Sequence, residues 1–395
     1  MGGLAEEKSY VFNPLQSEDT VATLNGTTKF GAKSTGDPKR VEFISKMFRG
    51  SKSVDCKNSG TSLRLLTGIA GLFSEKSHLF GDESLNQRPI GLLAKALSKF
   101  GLQIEFENNT PPINIVGPPT RKEVSLEIDG DVSSQFLSSV ALLATFRNTE
   151  QNTYLKVNSE MVSKPYFDLT IQMLRKHGIE VEQDDNEYVF HGNSSITNTK
   201  VPVPMDFSSA AFFFAAGALP GNKIQVKGNF SDLIQADRKL LDFLSEMGAK
   251  VRTYDDVIIV EGTELYGIDA DLQSCPDLFP IMCVLATQAV GVTKLFGAPH
   301  LRYKESNRIE AMTQILKSLG GRIIPQDDGA IIENSLISGG KTLKTQGDHR
   351  IAMASAILGT LAEKPISIVD TQSISISYPT FLSDLTSLSE ENWNN

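Results

Sequence analysis

The chain has 395 residues, 40% of them hydrophobic and 22% charged, with a formal net charge of −9. That length accommodates two domains, each with a core of its own, and the acidic balance excludes a general binder of nucleic acid or of acidic membranes. Any anion this chain holds must be held by a local cluster of Arg and Lys.

The longest apolar stretch, AAFFFAAGAL from Ala210, is far shorter than the roughly 18 residues of a membrane span. Three cysteines without CxxC spacing, and no signal peptide ahead of them, indicate a reducing, cytoplasmic compartment. The five histidines form no helical HxxxH pair, so no metal site is expected. GGKT at Gly339 lacks the glycine that a phosphate loop needs earlier, where Ser335 stands.

Along the chain, MGGLA reads as the tail of a small, apolar helix, and an amphipathic helix follows and closes at Gly31. NSGTSLRLLTGIAGL from Asn58 is the next small, apolar helix, with Gly60 and Thr61 at its entrance and Arg64 one turn in. NQRPIGLLAKAL places Arg88 before Pro89, at the first helical position where proline fits, and that helix closes at Gly101 ahead of the strand LQIEF. DVSSQFLSSVALLA from Asp131 begins with Ser133, Ser134 and Gln135, and serine pairs at helix starts are most often caps. VSKPYFDLTI sets Ser163 and Tyr166 around Pro165 and leads to Gly178.

NTKVPVP, residues 198–204, is the expected boundary between a domain of residues 1–201 and one of residues 202–395. Beyond it come DFSSAAFFFAAGAL from Asp206, a helix closing at Gly248 before AKVRTY, and PDLFPIMCVLATQAV around Asp277. LRYKESNRIEAM puts Lys304, Glu305 and Arg308 at a helix head, and DHRIAMASAILG opens with Asp348 as N-cap. SYPTFLSDLTSL from Ser377 is the last amphipathic helix.

These segments repeat. The small, apolar runs begin at Asn58, Asp131, Asp206, Asp277 and Asp348, at intervals of 73, 75, 71 and 71 residues. The closing glycines, Gly31, Gly101, Gly178, Gly248 and Gly320, are spaced 70, 77, 70 and 72 residues apart. One period before Asn58 falls ahead of Met1, so the first repeat is expected to be truncated. Each unit needs neighbours to bury its faces.

Charge placement suggests chemistry. Lys304 and Arg308, four apart, would repel on one helix face unless an anion lay between them. His349 and Arg350 stand at a helix N-terminus, where the macrodipole disfavours cations and favours a bound anion. Arg88, Arg308 and Arg350 come from three repeats; if their entrances converge they would grip a substrate with several negative groups, with Asp277 and Glu305 as proton carriers.

NSGTSLRLL, NQRPIG, DVSSQFL, VSKPY, DFSSA, RYKESNRIEAM and GDHRIAMA, in this order, resemble the motifs of the enolpyruvyl transferases, and most of all those of the EPSP synthase family. The resemblance runs from about Phe12 to Phe381. It implies an α/β (α+β) fold of two domains, each of three βαβαββ repeats in an inside-out α/β barrel, open without ligands and closing over a cleft. It implies transfer of the enolpyruvyl group of phosphoenolpyruvate to the 5-hydroxyl of shikimate 3-phosphate, with no metal or organic cofactor, by a monomer.

By motif match, Arg88, Arg308 and Arg350 would hold phosphoenolpyruvate in a pocket lined by Gly60 and Thr61. Ser133, Ser134, Gln135, Ser163 and Tyr166 would hold the phosphorylated shikimate. Asp277 would be the base for the hydroxyl and Glu305 the acid and base at the methylene, assisted by Lys304 and His349.

The family's Lys-Ser pair and following Arg would lie upstream of Met1, which then reads as an internal methionine of a longer frame. Ile376 stands where some members carry a lysine, and Leu65 where many carry proline. The sister enzyme acting on UDP-N-acetylglucosamine has a reactive cysteine in the loop matching LFGDESLNQRPIG, where this chain has none. A further alternative is a non-catalytic binder on the same scaffold.

Overall fold

Two helix types alternate with short strands, and the difference between them is one of composition. In the computed structural model, which describes residues 1–130, 133–230 and 233–391, the chain forms two compact units, Met1–Val203 and Pro204–Asn395. The head of the third repeat, Asp131, lies outside the described residues.

The first unit contains α1 (Glu18–Lys29), α2 (Gly60–Ala70), α3 (Gly91–Ser98), α4 (Ser134–Phe146) and α5 (Lys164–Lys176). Its third repeat shows the βαβαββ plan in full. Strand Val124–Ile128 runs through α4 into the parallel strand Asn152–Val157, and α5 leads to the antiparallel pair Val181–Asp184 and Glu187–His191. The second repeat builds the same four-stranded order from Val54–Asp55, Ser77–Phe80, Gln103–Glu107 and Thr110–Val116. In the first repeat, the outer parallel strand beside Ser9–Phe12 comes from far along the chain, at Lys200–Pro202.

The second unit contains α6 (Phe207–Ala218), α7 (Leu240–Glu246), α8 (Phe279–Gln288), α9 (Arg308–Ser318), α10 (His349–Gly359) and α11 (Phe381–Glu391). Its middle repeat has the full sheet, from Asp269–Asp271, Val292–Phe296, Arg322–Gln326 and Gly329–Glu333. Among the described residues the flanking sheets have three strands and two.

The even-numbered helices are the small, apolar ones and fill the interiors. Every residue of α8 from Phe279 to Thr287 is buried, as expected of a helix apolar all round. It packs against α6 and α10, also buried along most of their length. In the first unit α2 and α4 cross closely at Gly68, where a Cβ would come within 2.4 Å of the Ser139 carbonyl oxygen. The Ser139 hydroxyl donates to the Arg64 carbonyl across this contact (2.6 Å).

Odd-numbered helices bury one stripe and end as their sequences predict. Gly31, Gly101, Gly178, Gly248 and Gly320 all have left-handed φ, between 81° and 103°, which turns the chain out of the helix into the next strand. The three cysteines are buried and free, and burial pushes the Cys56 thiol up to about 12.

Two helix starts differ from expectation. The helix after Arg88 begins at Gly91, so Pro89 precedes the N-cap, Ile90, and is not its first residue. The helix of the KESNR segment begins at Arg308 with Asn307 as cap, and Lys304 and Glu305 lie in the preceding turn. A short 3-10 segment stands ahead of each of these helices.

The closing glycines give a two-part prediction. Gly320→Ala, whose new Cβ would meet only ordinary van der Waals contacts (3.5 Å to the Leu336 carbonyl oxygen), should lose about 1 kcal/mol from the left-handed backbone alone. Gly178→Ala should lose clearly more, because its Cβ would fall 1.8 Å from Thr197 Oγ1. Urea midpoints that are equal for both variants would contradict this.

Candidate active site

Arg308 is the first residue of α9, and its side chain is 1% exposed. A guanidinium so deeply buried must be neutralised and bonded through all its faces. Nη1 donates to Asp277 Oδ1 (2.7 Å), Nη2 to Glu305 Oε2 (2.7 Å) and Nε to Asp348 Oδ2 (2.9 Å). Burial works against its charge, but the three carboxylates override it and raise its pKa further.

Asp348 performs two tasks. Its Oδ1 accepts from the backbone N–H of Arg350 (2.9 Å) as the N-cap of α10, as the sequence predicts, while Oδ2 also accepts from Ser306 Oγ (3.0 Å). Capping and ion pairing thus fix the entrances of α9 and α10 to each other.

Asp277, in the turn before α8, collects three cations. Besides Arg308 it meets Lys304 Nζ (3.3 Å) and Arg350 Nη2 (3.3 Å). Burial alone would raise its pKa, but Arg350, Lys304 and Arg308 together hold the carboxyl well below the usual range. The conflict foreseen between Lys304 and Arg308 is therefore resolved from within: the anion between them is Asp277. Lys304 and Arg350 keep 30% and 13% of their side-chain surface exposed, whereas Arg308 does not reach solvent.

His349 is buried at the start of α10, its Nδ1 without a hydrogen-bond partner, and burial pushes its pKa down to about 4. It is a neutral imidazole at physiological pH, which removes the conflict of a cation at a helix N-terminus.

The first unit carries a second cluster. Ser59 caps α2 by accepting from Ser62 N (3.2 Å), one residue later than Asn58. Asn58 instead bridges Asp82 (2.8 Å) and Arg88 Nη2 (3.0 Å). Arg88 and Arg64 both reach over Gly60, where a Cβ would lie 3.1 Å and 3.3 Å from their Nη1 atoms. Gln135 accepts from Arg64 and donates to Thr61 Oγ1 (2.8 Å), joining the entrances of α2 and α4.

The serines do not behave as ordinary caps. Ser133 occupies the N-cap position of α4 but makes no side-chain cap bond. Ser163, beside Tyr166, holds a left-handed φ of 55° and likewise makes no cap bond. A non-glycine residue kept in that region is strained, a feature that clusters at ligand sites. At the entrance of α6, by contrast, capping is real: Asp206 accepts from Ser208 N (2.9 Å) and Ser209 N (3.2 Å).

Comparison with known proteins decides the family. The model of the EPSP synthase (3-phosphoshikimate 1-carboxyvinyltransferase) family matches residues 1–385. The chain belongs to that family.

It is 37% identical over 392 residues to the 3-phosphoshikimate 1-carboxyvinyltransferase of Methanocorpusculum labreanum, covering 98% of this chain and 92% of the relative. It is 39% identical over 388 residues to that of Archaeoglobus fulgidus, covering 96% and 89%. The EPSP synthase structure from Acinetobacter baumannii superposes with a TM-score of 0.79 at 30% identity, over 96% of this chain and 89% of the other. The enolpyruvyl transferase NikO from Streptomyces tendae shares the fold, with a TM-score of 0.76 at 16% identity. The relatives named 3-phosphoshikimate 1-carboxyvinyltransferase support the reading on shikimate 3-phosphate and not the one on UDP-N-acetylglucosamine.

Two residues of the second-unit cluster carried no signal in the sequence. His300 has both ring nitrogens buried without partners; burial, Lys304 and Arg308 depress its pKa to about 4 against the pull of Asp277. Asp237, 2% exposed, accepts from Ser208 Oγ. Ile376, where some family members have lysine, is buried at the end of a 3-10 helix, and Leu65 packs half-buried on the first unit's core.

Arg308→Met should lower stability by about 3–5 kcal/mol, since three carboxylates, one of them fully buried, lose their shared partner. Arg350→Ala should have a much smaller effect, and a urea midpoint for Arg308→Met close to that of the parent would contradict the arrangement. In NMR spectra, the imidazoles of His349 and His300 should stay neutral as pH falls from 7 to about 5. Titration of either near its ordinary value of 6.5 would show that burial does not control it.

Proposed function

We propose that this chain transfers the enolpyruvyl group of phosphoenolpyruvate to the 5-hydroxyl of shikimate 3-phosphate and releases phosphate. The observation that carries this reading is Asp277, a carboxylate held ionised by three cations of which two, Lys304 and Arg350, still reach solvent. An incoming dianion can take those two cations over, while Arg308 stays locked among its carboxylates.

That exchange has a chemical consequence. Asp277 loses two of the charges that depress its pKa and gains an anionic neighbour, so its pKa rises towards that of a working base. It then accepts the proton of the 5-hydroxyl as the oxygen attacks the central carbon of phosphoenolpyruvate. Glu305, which takes up a proton from solvent as the anionic substrates bind, delivers it to the methylene carbon, giving a tetrahedral adduct, and later removes a proton from the resulting methyl group. The adduct's C–O bond to phosphate breaks, phosphate leaves with the proton held by Asp277, and the enol ether double bond forms. Each step is a proton transfer or a charge placement, supplied by positioning and preorganised donors.

Gly60, Thr61 and Arg88 also contribute to binding phosphoenolpyruvate, and at Gly60 a Cβ would crowd the guanidiniums of Arg88 and Arg64. Ser133, Ser134, Gln135, Ser163 and Tyr166 bind shikimate 3-phosphate, consistent with hydroxyls not spent on caps. His349, neutral, serves the reacting atoms as a hydrogen-bonding group. A monomer acting in the cytoplasm completes the reading.

Phosphate release tests it. The chain should release phosphate only when both phosphoenolpyruvate and shikimate 3-phosphate are present, and Asp277→Asn or Glu305→Gln should lower kcat by roughly 10²–10⁴-fold. Turnover with UDP-N-acetylglucosamine instead would overturn the substrate assignment. Binding of shikimate 3-phosphate without any turnover would replace the enzyme by a binding protein.

A further inference from the structure

We infer that Asn58 and Asp82 form a relay that positions Arg88 for phosphoenolpyruvate: the neutral amide of Asn58 orients the guanidinium without setting a negative charge against its Nη2. This rests on the functional reading above, which gives Arg88 to phosphoenolpyruvate.

Arg88 Nη2 donates to Asn58 Oδ1 (3.0 Å), and Asn58 Nδ2 donates to Asp82 Oδ2 (2.8 Å). The two partners leave the amide one orientation. A guanidinium only donates and an ionised carboxylate only accepts, so the oxygen of Asn58 faces Arg88 and its nitrogen faces Asp82. With Ser59 capping α2, the side chain of Asn58 is left for this task.

Asp82 is itself fixed. Its Oδ1 accepts from Leu85 N (2.8 Å), its backbone N–H donates to the Lys57 carbonyl (2.9 Å), and its own carbonyl accepts from Asn86 N (2.9 Å). Asn86 closes the same loop, accepting from Gly81 N (2.9 Å) and donating to Gly81 O (2.8 Å). The loop 81–88 that carries Arg88 is thus pinned to the residues just before α2, and Asn58 passes that order on to the guanidinium.

The choice of an amide gives the relay a role beyond structure. In the second unit Lys304 and Arg350 meet the carboxylate of Asp277 directly, and an incoming anion has to displace it. At Nη2 of Arg88 the acceptor is uncharged, so it sets the donor's direction without competing for the guanidinium as an anion would. Arg88 is 8% exposed and reaches over Gly60, the first residue of α2. Holding Nη2 therefore also sets where the charge stands at that helix entrance, which itself favours an anion.

A charge-preserving exchange, Asn58→Asp with Asp82→Asn, tests this. The new carboxylate at position 58 can accept from Arg88 Nη2 and from the new amide at position 82, whose oxygen still accepts from Leu85 N. Hydrogen bonds and net charge are kept, but a negative charge now lies against Arg88. The urea midpoint should match the parent's. Calorimetric titration of phosphoenolpyruvate into the full chain saturated with shikimate 3-phosphate should give a dissociation constant raised roughly ten- to a hundredfold. Asn58→Ala should weaken binding about three- to tenfold. In that background Asp82→Asn should add no further loss, because Asp82 acts on Arg88 through Asn58.

A parent that binds phosphoenolpyruvate and a folded exchange variant that binds it equally well would overturn this inference alone. So would a further loss from Asp82→Asn in the Asn58→Ala background. A parent that binds no phosphoenolpyruvate would overturn the functional reading and this inference with it. If the exchange variant does not fold, Asn58→Ala decides, and binding equal to the parent's would contradict the proposal.

Discussion

A single buried guanidinium organises the second unit. Arg308 meets Asp277, Glu305 and Asp348, which arrive from the turn before α8, the turn before α9 and the cap of α10. Burying any of these four charges without the others would be costly, so the three entrances form together or not at all. Asp348 tightens the arrangement further, since one of its oxygens caps α10 while the other holds Arg308.

The same constraint separates two kinds of cation. Arg308 is held by three carboxylates at 2.7–2.9 Å. Lys304 and Arg350 share Asp277 at longer distances and remain partly exposed, so they are the ones a ligand can claim. Asp277 thus balances Lys304 and Arg350 from within the protein, which explains how these cations stand at the helix entrances. In the proposed reaction, the internal anion that keeps them there becomes the base once they are taken.

Much of this was legible in the sequence, for local reasons. The repeat, the helix types and the closing glycines depend on composition and on a φ that glycine tolerates, and both are written in consecutive residues. Asp348 as a cap was equally readable. The start of α9 was placed four residues early because the KES segment looks helical until the ion pairs pull it into a turn. The anion inferred between Lys304 and Arg308 was real but internal, since nothing in the spacing says that Asp277, 27 and 31 residues away, folds back onto them. Ser133 looked like a cap and is not one, and Asp237 and His300 lie in segments with no periodicity or motif to mark them. The strand Lys200–Pro202, too short and proline-bearing to read as a strand, joins a partner almost the whole unit away.

The measurement that bears most directly on this account is the pKa of Asp277, read from its carboxyl carbon by NMR in the free chain and with both substrates' anionic groups bound. The account predicts a value held well below the carboxylate range in the free chain and a clear rise when phosphoenolpyruvate takes Lys304 and Arg350. A pKa that is ordinary at the outset, or that does not move on binding, would contradict the exchange of cations on which the proposed chemistry depends.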